Sequence, residues 1–137
     1  MQLVIDIGNT RIKWARLEGG GLADTRNAVH RGVPDAAFAA LAGALPNKFT
    51  GAIVANVAGD EFETRLRQLL RARAGITPEV VAVRAEAHGV RCAYADPSRL
   101  GVDRWIAVLA AHHHAAGAAC VVDAGTVDWA RLRAAAL

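Results

Sequence analysis

MQLVIDIGNTRIKW, residues 1–14, is the stretch that decides the fold. Leu3, Val4 and Ile5 form a short, β-branched apolar run, and Gly8-Asn9 is a dipeptide able to occupy the positive-φ positions of a tight hairpin turn. A second strand over residues 10–17 should follow. With Gly8-Asn9 as a two-residue loop, Ile7 faces Thr10, Asp6 faces Arg11, Ile5 faces Ile12 and Val4 faces Lys13. Side chains alternate across a strand, so Leu3, Ile5, Ile12 and Trp14 share one face, suited to packing on helices. Asp6, Arg11 and Lys13 share the other.

That polar face admits two readings. It is either an exposed edge hairpin with a charge cluster that contributes little, or a hairpin built around an anion. In the second case backbone N–H groups near Gly8 to Thr10 and the Lys13 ammonium take phosphate oxygens, while Asp6 holds a divalent metal, usually through water. CVVDAGT, residues 120–126, repeats the pattern of apolar strand, Asp123, small residue, Gly125 and Thr126. Two such turns favour a phosphate clamp in two halves.

Outward from the hairpin, Gly19-Gly20-Gly21 ends the second strand and a third is expected around residues 23–29. PDAAFAALAGAL, residues 34–45, has Pro and Asp in its first turn and Phe38, Leu41 and Leu45 at helical spacing before Pro46-Asn47 stops it. Residues 52–57 read as a buried strand. A helix then starts at Gly59-Asp60, carries Phe62, Leu66, Leu69 and Leu70 on one side, and closes at Gly75. A strand over 78–83, a helix over about 102–116 and a buried strand within AACVVDAGT, residues 118–126, complete the pattern. Three strands followed by alternating helices and strands argue for an α/β layered domain.

The chain of 137 residues is 53% hydrophobic, enough for a sizeable core. Its formal charge of +3 is scattered, which argues against a nucleic-acid partner, and RLRQLLRAR, residues 65–73, reads as a solvated helix face. Cys92 and Cys120 lack CxxC spacing and sit among Ala and Val, as reduced small hydrophobes of a cytosolic protein do. No apolar run reaches eighteen residues and the N-terminus has no signal-peptide pattern, so a cytoplasmic location and no membrane partner are expected. His112, His113 and His114 point in different directions along a helix and cannot form one ligand set. His30 and His88 read as structural or solvated, and Trp14 and Trp105 as core.

YADPSRLGVDRW, residues 94–105, is the other chemical segment. Asp96-Pro97 and Gly101 constrain a loop, and Asp103-Arg104 fall in the first turn of an apolar helix, where the macrodipole favours a carboxylate. Either Asp103 only caps the helix, or it accepts a proton from a substrate hydroxyl while Arg104 holds an anionic group. Phosphoryl transfer requires positioning and charge neutralisation rather than a covalent nucleophile, so the second reading is chemically sufficient.

Taken in order, DIGNTRIK (6–13), LGVDR (100–104) after Tyr94 and Pro97, and DAGT (123–126) resemble three motifs of the type III pantothenate kinases. These belong to the actin-like, Hsp70-like, sugar-kinase-like ATPase superfamily. The resemblance implies an actin-like (ribonuclease H-like) α/β lobe: a mixed sheet with an N-terminal hairpin or meander and flanking helices. It implies ATP-dependent phosphorylation of pantothenate, the first step towards coenzyme A, with Mg²⁺ and a monovalent cation, K⁺ or NH₄⁺. Position by position, it implies Asp6 for the divalent metal, Gly8, Asn9, Thr10, Lys13, Gly125 and Thr126 for the ATP phosphates, and Asp103 as general base. Tyr94, Gly101 and Arg104 would hold pantothenate, and Asp123 the monovalent cation. The full-length family is homodimeric and two-lobed. Residues 1–126 would be the N-terminal lobe, 127–137 a divergent or truncated tail, and the second lobe absent. After DAGT the chain runs Val127-Asp128-Trp129, where the family has a small residue and a further Thr before an Asp. A noncatalytic or regulatory accessory-factor module of the same fold is the alternative, and another kinase or phosphatase of the superfamily a more distant one.

Overall fold

The computed structural model describes residues 1–122. Strands β1 (Gln2–Ile7), β2 (Arg11–Glu18) and β3 (Gly21–Val29) form a meander, followed by helix α1 (Pro34–Ala44), β4 (Ala52–Asn56) and helix α2 (Asp60–Ala74). Then come the short strands β5 (Glu79–Val80), β6 (Glu86–Ala87) and β7 (Val90–Arg91), a 3-10 turn at Pro97–Arg99, and helix α3 (Val102–His114). The main sheet has the order β3-β2-β1-β4-β5. β1 pairs antiparallel with β2 and parallel with β4, so the sheet is mixed, as the resemblance implies.

One face of this sheet makes the core. Leu3, Ile5, Ile7, Ile12, Trp14 and Val54 meet Phe38 and Leu41 of α1 and Leu66 and Leu70 of α2. The opposite face carries Val4, Asp6, Ile53 and Ala55, and α3 lies over it. Trp105 of α3 is buried outside the main core cluster. Trp14 and Trp105 are therefore interior, as expected, and the polar face of the hairpin is where a site can open.

The hairpin register differs from the expected one. Ile7 pairs with Ile12, Asp6 with Lys13 and Ile5 with Trp14, two residues along from the simplest two-residue Gly-Asn loop. Gly8 N–H donates to the Arg11 carbonyl at 3.0 Å, so the turn falls on Asn9-Thr10, and neither Gly8 nor Asn9 has a positive φ. The observed register sets apolar residues against apolar residues on the buried face, which favours it. A slip of two preserves which face each side chain occupies. At the other end of β2, Gly19 and Gly20 have φ of 58° and 81°, the paired left-handed values of a tight hairpin loop between Glu18 and Gly21.

Three further expectations change. The strand expected over 78–83 is only two residues long, continued by a Val81 N–H bond to the Val54 carbonyl. Residues 118–122 form no strand, and Val121 and Val122 are exposed: extended backbone becomes a strand only where a neighbour takes its N–H and C=O groups, and no ladder includes them. The rest of that segment, 123–126, lies outside the described residues. Cys120 is exposed and Cys92 half-buried rather than core, and both are free thiols. The arginines of α2 also do more than face solvent. Arg65 pairs with Asp35 at 2.7 Å and lies over Phe38, and Arg73 reaches the Leu45 carbonyl, tying α2 to α1.

Leu41→Ala is expected to lower unfolding free energy by about 2–5 kcal/mol. Leu22→Ala, at a position 64% exposed, should change it by less than about 0.5 kcal/mol. Denaturant midpoints at constant m-value measure both.

Candidate active site

β1 and β4 are parallel neighbours whose carboxyl ends finish together at Ile7 and Asn56, linked by a Val57 N–H bond to the Ile7 carbonyl at 2.9 Å. Crevices outside the carboxyl ends of sheet strands are the common ligand position in α/β folds. Asn56 closes its own turn, accepting from Ala58 N–H and donating to the Gly59 carbonyl, both at 2.9 Å. The β1–β2 turn lies at the same end of the sheet.

Asp6 lines a cavity of about 380 Å³ together with Val4, Ile53, Ala55 and Val81 of the sheet side and Asp103 and Ile106 of α3. Two carboxylates far apart in sequence are thus brought to one space. Lys13 Nζ lies 3.5 Å from Asp6 Oδ2, with the side chains 60% and 45% exposed. Asp6 and Lys13 share the face expected of them, and that face opens towards Asp103.

Asp103 also borders a second cavity of about 560 Å³, lined by Arg91 of β7, Arg104, Ala107 and His112 of α3, and Val121. Its Oδ1 accepts the Arg104 backbone N–H at 2.8 Å, and no donor among the described residues takes the other carboxylate oxygen. Gly101 ends in ordinary extended geometry, yet a Cβ there would sit 2.8 Å from Asp103 Oδ1. A Cβ at 101 would push aside the Asp103 carboxylate, so glycine there sets where that carboxylate sits rather than supplying special backbone angles.

The turn itself is open. Gly8 N–H is used by Arg11, but among the described residues no protein acceptor takes the N–H groups of Asn9, Thr10 or Arg11. Three N–H donors at one turn are available to an anion. The Thr10 hydroxyl behaves differently: it is buried and has no hydrogen-bond partner among the described residues. Tyr94 is exposed and lines neither cavity. Asp123, Gly125 and Thr126 lie outside the described residues.

Two residues at this site carry no signal in the sequence reading. Arg91 faces the second cavity from a two-residue strand too short to recognise by pattern. His30 is 5% exposed and its Nε2 lies 2.7 Å from the Gly8 carbonyl, a bond that requires the proton on Nε2. It is structural, as expected, but at the turn itself. His88, His112, His113 and His114 line a further cavity of about 640 Å³, and no group of three or more His, Cys, Asp or Glu among the described residues could hold a metal ion.

The family model for type III pantothenate kinase matches residues 2–128. The chain belongs to the type III pantothenate kinase family. A type III pantothenate kinase of Nitrosococcus oceani is 39% identical over 134 residues, covering 92% of this chain and 49% of that protein. One from Pseudomonas putida is 36% identical over 134 residues, with 92% and 50% covered, and one from Burkholderia mallei is 44% identical over 115 residues, with 82% and 42% covered. The chain spans about half the length of these curated relatives. No helix among the described residues is long and apolar enough to cross a membrane.

The Asp6–Lys13 pair is too exposed to contribute much to folding. A double-mutant cycle with Asp6→Asn and Lys13→Met should give a coupling of less than about 1 kcal/mol in unfolding free energy. A coupling above about 2 kcal/mol would make the pair a structural element instead.

Proposed function

We propose that this chain is the lobe of a pantothenate kinase that cradles the phosphates of ATP and supplies the base for phosphorylating pantothenate. The observation that carries this reading is the convergence of Asp6 and Asp103 on one cavity, with the turn that follows β1 leaving three N–H donors without acceptors among the described residues. Gly8, Asn9, Thr10 and Lys13 take the ATP phosphates. Asp103 accepts the proton of the pantothenate hydroxyl while that oxygen bonds to the γ-phosphorus and the bond to ADP breaks. Arg104, with Arg91 across the second cavity, faces the pantothenate carboxylate.

The donor set suits Mg²⁺. Asp6 offers carboxylate oxygens without a dedicated protein cage, and Mg²⁺ is commonly held by one or two carboxylates plus water and substrate phosphates. When bound, the ion neutralises charge on the phosphate oxygens. K⁺ or NH₄⁺ at Asp123, and completion of the cradle by Gly125 and Thr126, belong to the same reading, as do Tyr94 at the pantothenate, a homodimeric assembly of the whole protein and a cytoplasmic location.

Calorimetry with Mg²⁺·ATP and with pantothenate, alongside a phosphoryl-transfer assay, tests the assignment. Asp6→Asn should weaken Mg²⁺·ATP binding about tenfold or more, equivalent to one charge-assisted interaction. Asp103→Asn should leave both affinities nearly unchanged and lower turnover by about 10²–10⁴-fold. Binding of neither ligand would favour the noncatalytic accessory reading.

Gly101→Ala should lower turnover by about tenfold or more by displacing the Asp103 carboxylate. Unchanged turnover would show that the approach of Gly101 does not position the Asp103 carboxylate.

A further inference from the structure

We infer that His30 is a positioning residue that holds the phosphate-binding turn open. This rests on the reading of residues 8–13 as the ATP-phosphate turn. In an ordinary closing pair of a hairpin the two residues exchange both N–H···O=C bonds. Here Gly8 N–H donates to the Arg11 carbonyl at 3.0 Å, but the return bond from Arg11 N–H to the Gly8 carbonyl is not made. The Gly8 carbonyl is engaged by His30 Nε2 at 2.7 Å instead.

The same residue secures the far side of the turn. His30 N–H donates to the Thr10 carbonyl at 2.9 Å, and Arg31 N–H approaches the same oxygen at 3.4 Å. Two carbonyls that would repel an anion, those of Gly8 and Thr10, are thereby occupied by donors from one short segment. The N–H groups of Asn9, Thr10 and Arg11 are left without protein acceptors among the described residues. His30 thus acts through the backbone and need not touch a phosphate.

Its own position is held by packing. The imidazole is buried against the Phe62 ring of α2, with centroids 4.6 Å apart, and Phe62 in turn lies 5.9 Å from Phe38 of α1. A buried donor without a partner costs free energy, so His30 and the Gly8 carbonyl constrain each other. The turn is consequently coupled to the helical layer through a single side chain.

The test compares His30→Leu, which keeps an apolar body and removes the donor, with His30→Gln, which restores an N–H near the Nε2 position. Mg²⁺·ATP affinity is measured by calorimetry on this chain, and amide NMR shifts of Asn9, Thr10 and Arg11 are recorded without ligand. His30→Leu should move those three amides and weaken Mg²⁺·ATP by about 3–10-fold, and His30→Gln should recover most of both effects. Pantothenate affinity should stay within about twofold in both variants, which a general loss of folding would not allow. Unmoved amides and parental Mg²⁺·ATP affinity in His30→Leu would overturn the positioning role alone. Equal losses in the Leu and Gln variants would also overturn it, leaving His30 as packing. A parental chain that does not bind Mg²⁺·ATP would overturn the phosphate-turn reading and this role with it.

Discussion

Burial of Ile5, Ile7, Ile12 and Trp14 on one face of the hairpin fixes which side of the sheet the neighbouring residues of the lobe occupy. All four are buried, and Val54 of the parallel neighbour β4, opposite Ile5, is buried on the same face. Burying an aliphatic or aromatic side chain contributes about 1.5–3 kcal/mol, so a one-residue slip that exposed this set would be strongly disfavoured. Because the apolar face must point at α1 and α2, Asp6 and Lys13 must point away from them. The site is therefore a by-product of core packing in its location, though not in its chemistry.

The chemistry lies in groups that folding does not require. Asp6 and Asp103 bring two negative charges to one cavity, and the cations near them, Lys13 and Arg104, sit on exposed side chains that are weak stabilisers. Such a grouping suits a ligand that brings its own compensating charges. Positive and negative groups arranged around a small space stabilise charge during transfer without reorganising, because the sheet and α3 hold them in place.

Much of this was legible in the sequence because period-two alternation in LVIDIGNTRIKW assigns faces without knowledge of the register. The register itself was not legible: pairing Ile7 with Thr10 or with Ile12 satisfies the same alternation, and only the match of apolar partners decides between them. The helices at Pro34 and Asp60 carried both start and stop signals, and Gly75 occupies the left-handed position expected of a helix-closing glycine. Strand character at 118–122 was misread because apolar composition is local whereas a hydrogen-bonding neighbour is not. The place of His30 at the turn and of Arg91 at the second cavity was not legible for a related reason. The Gly8 carbonyl lies 22 residues from His30 in sequence, and no spacing rule links them.

The account stands on the claim that the β1–β2 turn and the start of α3 face one bound nucleotide. Paramagnetic broadening by Mn²⁺·ATP in the isotope-labelled chain tests it most directly, since relaxation falls steeply with distance from the ion. Amides of residues 8–13 should broaden together with those of Asp103 and Arg104, while those at the Gly19-Gly20 turn at the opposite end of β2 keep their intensity. Broadening confined to the β1–β2 turn with residues 103 and 104 unaffected, or broadening at neither, would contradict it.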